Sequence, residues 1–195
     1  MDSFLPVCIG IGLSAACGFR VFVPLLVMSI FSLAGHLNLS PGFSWIGTYP
    51  ALIAFGTATI AEIVAYLIPG LDHALDVIAT PAAVIAGTVV TASFIMDLSP
   101  FLKWTLALIA GGGAAGIIQG GSVLLRGKSA LATGGAANPL VAAGEAVGAG
   151  ILSILAILVP VLVAVAILAV CLWVLWKFGR ALFRQHGGAE QNIKT

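Results

Sequence analysis

Long stretches without a charged side chain constrain this sequence more than any other feature. From Trp104 to Leu125, for example, the chain carries no Asp, Glu, Lys or Arg. A helix needs about 20 mostly apolar residues to cross a bilayer. With 61% hydrophobic and only 8% charged residues, the chain has too little polar surface to cover one water-soluble core. The sequence therefore predicts an all-α integral membrane protein.

Six stretches are apolar and long enough to be transmembrane spans. They cover residues 5–33, 50–68, 77–96, 104–125, 139–157 and 160–178. We expect them to form one polytopic helix bundle over residues 1–180, followed by a cytoplasmic tail at 181–195. The last two spans allow an alternative, because Pro160 is the one breaker in the apolar segment around it. Residues 139–178 could instead form a short re-entrant piece and one long kinked helix.

The basic residues suggest the orientation of this bundle, since Lys and Arg near span ends collect on the cytoplasmic side. With six spans, most of them lie on one side and only Lys103 lies on the other; the first group is Arg126, Lys128, Lys177, Arg180, Arg184 and Lys194. A five-span chain was expected to scatter them. The sequence therefore predicts a multi-pass membrane protein with both termini in the cytoplasm.

Small residues recur every four positions in three of the spans, a spacing that lets helix backbones approach closely. The rows are Gly10, Ser14 and Gly18; Gly112, Gly116 and Gly120; and Gly144 and Gly148. They indicate helix packing within one chain, homo-oligomer contacts or a glycine-lined pore. The segments GLSAACGFRVFVPLL and GGGAAGIIQGGSVLL also align without gaps, which suggests two inverted three-helix repeats. Two alanine-rich helices also match often by chance, so the repeat stays open.

Arg20 is the first candidate functional residue, because an unpaired charge inside a span costs at least about 2.5 to 3.5 kcal/mol. Pro24 follows four residues later and displaces the carbonyl of Arg20, so we expect a helix kink there, beside Gly18. Glu62, in the second span, is expected at a similar depth and to form an ion pair with Arg20.

Glu145 is the second buried carboxylate, in the inner half of the fifth span, where Gln119 could donate a hydrogen bond to it. An unpaired carboxyl in a membrane can carry a proton, whereas a paired one stays ionised. Glu145 is thus the candidate proton carrier, and Glu62 a structural residue or a gate. Each of these charges could equally serve only to stabilise the fold.

The cytoplasmic loop IPGLDHALD contains Asp72, His73 and Asp76. Two carboxylates and an imidazole suggest a hard-cation site, but they are too few and too exposed to specify a metal, so a solvated turn is the favoured interpretation. We predict no metal and no cofactor. The net charge of +1 argues against nucleic-acid binding. The three cysteines lie in apolar stretches without metal-ligand spacing and indicate packing.

Several of these segments together resemble the bacterial integral-membrane family named domain of unknown function 4126. The resemblance rests on GLSAACGFRVFVPLL, TIAEIVAYLIP, PGLDHALD, ANPLV and Glu145 with the apolar pair after it, over about residues 5–180. It implies the same helical topology and a location in the bacterial inner membrane, and it supports the choice of Arg20, Glu62, Asp72, His73, Asp76 and Glu145. It implies no substrate.

Three functions follow from these residues. The first is a small transporter or channel for an unknown ion or small molecule, with Arg20, Glu62, Gln119 and Glu145 along its pathway. The second is a non-transporting membrane scaffold in which the charges only pair. The third is a lipid-acting enzyme, which we do not expect, because the sequence carries none of the common catalytic motifs. Lipid is the expected partner, and a second copy of the chain is a further one.

Overall fold

The computed structural model describes the backbone of residues 4–68, 71–96 and 98–191, and the side chains in these ranges except those of residues 72, 73, 178 and 181–191. The described backbone is almost entirely helical. Its α-helices are α1 (Phe4–Cys17), α2 (Phe22–Leu33), α3 (Tyr49–Tyr66), α4 (Leu71–Phe94), α5 (Pro100–Leu106), α6 (Gly113–Thr133), α7 (Asn138–Leu158) and α8 (Pro160–Gln191). A 3-10 helix, Pro41–Gly47, precedes α3, and a π-helical segment, Ala107–Gly112, joins α5 to α6.

Five of these helical segments are long and apolar enough to cross a membrane. They are Tyr49–Tyr66, Ala74–Phe94, the continuous segment Pro100–Thr133, Asn138–Leu158 and Pro160–Lys177. The predicted class, an α-helical multi-pass membrane protein, is confirmed. Six crossings are not confirmed, because residues 5–33 form two short helices of 14 and 12 residues.

These two short helices form a hairpin and do not continue in one direction. On α1, a Cβ added to Gly10 would lie 3.1 Å from Cα of Thr91, near the end of α4. On α2, the sulfur of Met28 lies 3.8 Å from the hydroxyl of Ser93, at the same end of α4. Arg20 lies between α1 and α2, so the chain approaches Arg20 along α1 and returns along α2. Residues 5–33 thus form a helical hairpin, and the prediction that they form one crossing is not confirmed.

Because of the hairpin, the beginning of α1 and the basic residues lie at opposite ends of the bundle. Val7 packs with Ile95, directly after the end of α4, and with Ala107, in the segment that leads into α6. Lys177 lies at the other end of the bundle, in a groove with Leu124 of α6. We call this other end the basic end: there α3 and α6 finish, and α4 and α7 begin. The beginning of α1 therefore lies away from the basic end. The two termini, residues 1–3 and 192–195, lie outside the described residues, so the placement of both in the cytoplasm stays a prediction.

Gly18 and Pro24 explain why the chain turns at this point. A Cβ on Gly18 would lie 2.5 Å from the carbonyl oxygen of Ala115 and 2.7 Å from Cβ of Ile118, so only glycine fits against α6. Pro24 occupies the first turn of α2, where a missing N–H group leaves no helical hydrogen bond unmade. We expected a kink at Pro24. Instead, α1 ends at Cys17 and a separate helix, α2, begins two residues before Pro24.

α1 is the core of the bundle. Its residues from Cys8 to Cys17 are all buried, and it packs against α4, α6, α7 and α8. The hydroxyl of Ser14 donates to the carbonyl of Gly87 at 2.7 Å and lies 2.7 Å from the hydroxyl of Thr91. The three cysteines are buried and free.

The glycine rows have two different environments. Gly10, Gly18 and Gly112 contact neighbouring helices within the chain, whereas a Cβ on Gly120, Gly144 or Gly148 would meet no atom within 4 Å. The inverted repeat is not confirmed. Its first unit begins with the α1–α2 hairpin, whereas the second begins with the continuous segment Pro100–Thr133.

Candidate functional site

Arg20 lies in the turn of the hairpin and is 1% exposed. Its Nη2 donates a hydrogen bond to the carbonyl oxygen of Ala142 at 2.9 Å and lies 3.4 Å from Oε2 of Glu145. Its Cζ lies 3.9 Å from the ring centroid of Tyr66, which is a cation–π contact. Three elements therefore surround this guanidinium: the hairpin turn, the last residue of α3 and the first two turns of α7.

Glu62 does not form the ion pair with Arg20 that we expected. Its Oε1 accepts a hydrogen bond from the backbone N–H of Val21 at 2.8 Å, and its Oε2 accepts one from Phe22 at 3.0 Å. These are among the first amide groups of α2, which have no partner within their own helix. Glu62 therefore caps α2 from α3, and the positive end of the α2 dipole stabilises its carboxylate.

Glu145 of α7 is the carboxylate partner of Arg20, and it also contacts a second arginine. Nη1 of Arg126 lies 3.2 Å from the same oxygen, Oε2, that faces Arg20. Arg126 is 1% exposed, although the sequence placed it among the cytoplasmic anchors. The signal that could have found it is the spacing of Gln119, Ser122 and Arg126, which places three polar residues on one face of α6.

Asp76 and Tyr66 complete the site at the basic end. Nη2 of Arg126 lies 2.7 Å from Oδ1 of Asp76, and the Tyr66 hydroxyl donates to the same oxygen at 3.1 Å. Cζ of Arg126 lies 4.6 Å from the Tyr66 ring centroid. Asp76 was expected in a solvated turn; it lies in α4, and its side chain is 12% exposed. Tyr66 was not singled out from the sequence.

We call Arg20, Glu62, Tyr66, Asp76, Arg126 and Glu145 the charged cluster. It contains two guanidinium groups and three carboxylates, which gives a formal charge of −1 when all are ionised. By helix rise, Glu145 lies about 10 Å from the start of α7, and Asp76 about 8 Å from the start of α4. The cluster therefore lies one to two turns inside the basic end, closer to one membrane face than we expected for Arg20.

The hydrogen bonds of the charged cluster are incomplete. Among the described residues, Nε and Nη1 of Arg20 have no hydrogen-bond partner. The two contacts of Glu145 with the arginines have ion-pair distances, and the side chain of Ser122 also interacts with its carboxylate. Gln119 is 2% exposed, and within the described part of the chain its Nε2 makes no hydrogen bond, so the expected bond to Glu145 is absent.

A cavity of about 310 Å³ reaches the edge of the charged cluster. It is lined by Asp76, Val77, Thr80, Val123 and Gly127, between α4 and α6. Arg20 and Glu62 do not line it. Asp76 thus separates this cavity from the buried arginines.

The loop for which a cation site was considered and a solvated turn favoured lies partly outside the described residues. Asp72 and His73 have side chains outside the described residues, and Asp76 is engaged with Arg126 and Tyr66. Among the described residues, no group of three or more His, Cys, Asp or Glu side chains could hold a metal ion.

Comparison with known proteins gives a family and no further relative. No curated protein and no solved structure matches the chain. Residues 7–180 match the family described as a domain of unknown function (DUF4126), which includes every member of the charged cluster. This match covers far more than half of the sequence, so the chain belongs to the DUF4126 family.

Proposed function

We propose that this protein is a small transporter or channel of the bacterial inner membrane, with the charged cluster on its pathway. The basic end faces the cytoplasm, as the positive-inside rule requires of Arg126, Lys128, Lys177 and Arg180. The beginning of α1 and the segment before α3 face the other side. The substrate is an ion or a small molecule.

The observation that carries this proposal is the incomplete hydrogen bonding of the buried Arg20. A buried ion pair repays its desolvation only when its geometry is good and its remaining donors and acceptors are satisfied. Here Nε and Nη1 of Arg20 have no hydrogen-bond partner within the described residues, and neither has Nε2 of Gln119. Such a site is poorly suited to stabilising the fold alone, and intramembrane charges commonly mark ion or substrate pathways.

The hairpin supports the same proposal. Helices that are broken within a membrane commonly place their ends, and the dipoles of those ends, at transport sites. In this protein the end of α1 and the beginning of α2 meet at Arg20. Irregular backbone is tolerated at this depth because neighbouring helices enclose it and Glu62 accepts its free amide groups.

Glu145 is the group that can couple the site to protons. Oε2 contacts both Arg20 and Arg126, so protonating this one carboxylate weakens the interactions of both arginines at once. We assign Arg20 the role of attracting an anion or holding a gate, and Glu145 the role of carrying a proton. The contact of Asp76 with Arg126 closes the site towards the cavity at the basic end.

A non-transporting scaffold is the second candidate, because the short contact of Arg126 with Asp76 and the close packing of Gly18 also hold helices together. In that role the charges serve only to join α1, α3, α4, α6 and α7. Gly144 and Gly148, whose Cβ positions face open space, would then suit contacts between copies of the chain.

Flux into liposomes distinguishes the two functions. Purified protein is reconstituted and tested with a panel of ions and small acids at several pH values. A transporter shows protein-dependent flux that Glu145→Gln uncouples from pH and Arg20→Gln abolishes, while both variants insert and fold. The control is Lys128→Gln, which removes an exposed charge two residues from Arg126 and should leave flux unchanged. Absence of flux across the panel, with loss of the folded protein in Arg20→Gln, contradicts transport and supports the scaffold.

A further inference from the structure

An apolar groove runs along the outside of the bundle between α6 and α8. Its volume is about 810 Å³, within the range of specific ligand pockets. Three glycines of α6, Gly116, Gly120 and Gly121, form its floor, and Trp173 and Leu175 of α8 form its opposite wall. A Cβ on Gly120 or Gly121 would meet no atom within 4 Å, so these two positions leave the groove open where other positions of α6 carry Leu or Ile.

The groove lies within the membrane and faces lipid. Leu124, Trp173 and Leu175, which line it, are all more than half exposed, which in a bilayer means contact with acyl chains. From Leu124 to Gly116 it extends for eight residues along α6, about 12 Å. This length and the apolar walls suit one acyl chain lying along the helix.

One end of the groove carries positive charge. Lys177 lines it at the basic end, with its Nζ 5.0 Å from the ring centroid of Trp173. Arg180 follows one turn later on α8, over the ring of Trp176. Lys and Arg at this level favour anionic headgroups, and Trp favours the interface between headgroups and acyl chains.

We propose that this groove is a binding site for an anionic phospholipid. One acyl chain lies over Gly116 and Gly120, and the phosphate contacts Lys177. The groove shares Thr80 and Val123 with the cavity at Asp76, but no member of the charged cluster lines it, and the proposal does not depend on transport.

Native mass spectrometry of the purified full-length protein, with added phosphatidylglycerol or phosphatidylcholine, tests the proposal. Phosphatidylglycerol should bind at least about fivefold more tightly, because one Lys at the membrane surface contributes about 1 kcal/mol towards an anionic lipid. Lys177→Gln should remove this preference. Equal binding of the two lipids to the wild-type protein overturns the proposal, and so does a preference that survives Lys177→Gln.

A matched pair of glycine variants tests the floor of the groove. Gly120→Leu fills it, whereas Gly148→Leu adds the same side chain on α7, outside it. Both positions are helical and half-buried, and a Cβ at either meets no atom within 4 Å, so both variants should fold. Gly120→Leu should weaken phosphatidylglycerol binding about tenfold or more, and Gly148→Leu should leave it unchanged. Equal binding by the two variants overturns the proposal, as does a dimer that Gly120→Leu dissociates, which would assign the groove to a second copy.

Discussion

The carboxylate of Glu62 accepts the backbone N–H of Val21 at 2.8 Å, across 41 residues of sequence. A side chain of α3 thereby performs the task that a capping Ser or Asp usually performs from within the same helix. The arrangement fixes the beginning of α2 without any polar residue in the hairpin turn except Arg20. It also makes the fold of the hairpin depend on a residue outside it.

Removing this cap should destabilise the protein. Glu62→Leu leaves the amide groups of Val21 and Phe22 without partners, at about 1 to 3 kcal/mol each. Glu62→Gln retains one acceptor oxygen, so its loss should be roughly half as large. Unfolding in detergent, followed by circular dichroism, measures both. Equal stability of Glu62→Leu and the wild type would contradict the capping role.

The partner of Arg20 can be identified by double-mutant cycles. Arg20→Gln alone leaves Glu145 with one arginine and should cost about 3 kcal/mol or more. Adding Glu145→Gln should recover part of this loss, because the two residues contact each other. Adding Glu62→Gln should recover none of it, since Glu62 binds backbone amides. Recovery by Glu62→Gln but not by Glu145→Gln would restore the ion pair expected from the sequence.

Gly18 should tolerate no side chain. Gly18→Ala places a Cβ 2.5 Å from the carbonyl oxygen of Ala115, and α1 and α6 must then separate, at a cost of about 1 to 3 kcal/mol. Gly113→Ala is the control: a Cβ there meets no atom within 4 Å, and Ala favours the helix by up to about 1 kcal/mol. Thermal unfolding in detergent should therefore rank Gly18→Ala below the wild type and Gly113→Ala at or above it. The reverse order would show that α1 does not pack closely on α6.

The hairpin makes a prediction about topology. Phe4→Cys and Ser44→Cys should react with a membrane-impermeant thiol reagent from one side of the membrane, and Leu131→Cys from the other. All three positions are exposed, Leu131 by 90%, and the native cysteines are buried. Labelling of Phe4→Cys from the same side as Leu131→Cys would mean that residues 5–33 cross the membrane once.

The sequence predicted the helical membrane class, because that class depends on composition within single segments. It did not predict the hairpin. The basic residues that set the orientation all follow α2, so they stay on the same sides whether residues 5–33 cross or turn back. The turn itself depends on the close approach of Gly18 to Ala115 and on Glu62, both distant in sequence.

Only part of the charged cluster was predicted, because some of its members stand out within a single segment and others do not. Arg20 and Glu145 stand out because each is a lone charge in an apolar stretch. Arg126 does not, since it also fits the pattern of a cytoplasmic anchor after the fourth span. Tyr66 carries no charge, and its place beside both arginines is fixed only by the packing of α3 against the hairpin and α4.

The burial of α1 bears on the order in which the protein is assembled. This helix is synthesised well before the groups that contact it and the turn after it. Gly87, which accepts a hydrogen bond from Ser14, follows 73 residues later, and Ala142, which accepts one from Arg20, follows 122 residues later. We therefore expect α1 and the turn at Arg20 to remain unpacked at the membrane until α7 has been inserted. A chain shortened before Asn138 should retain its other helices but leave this segment open to proteases.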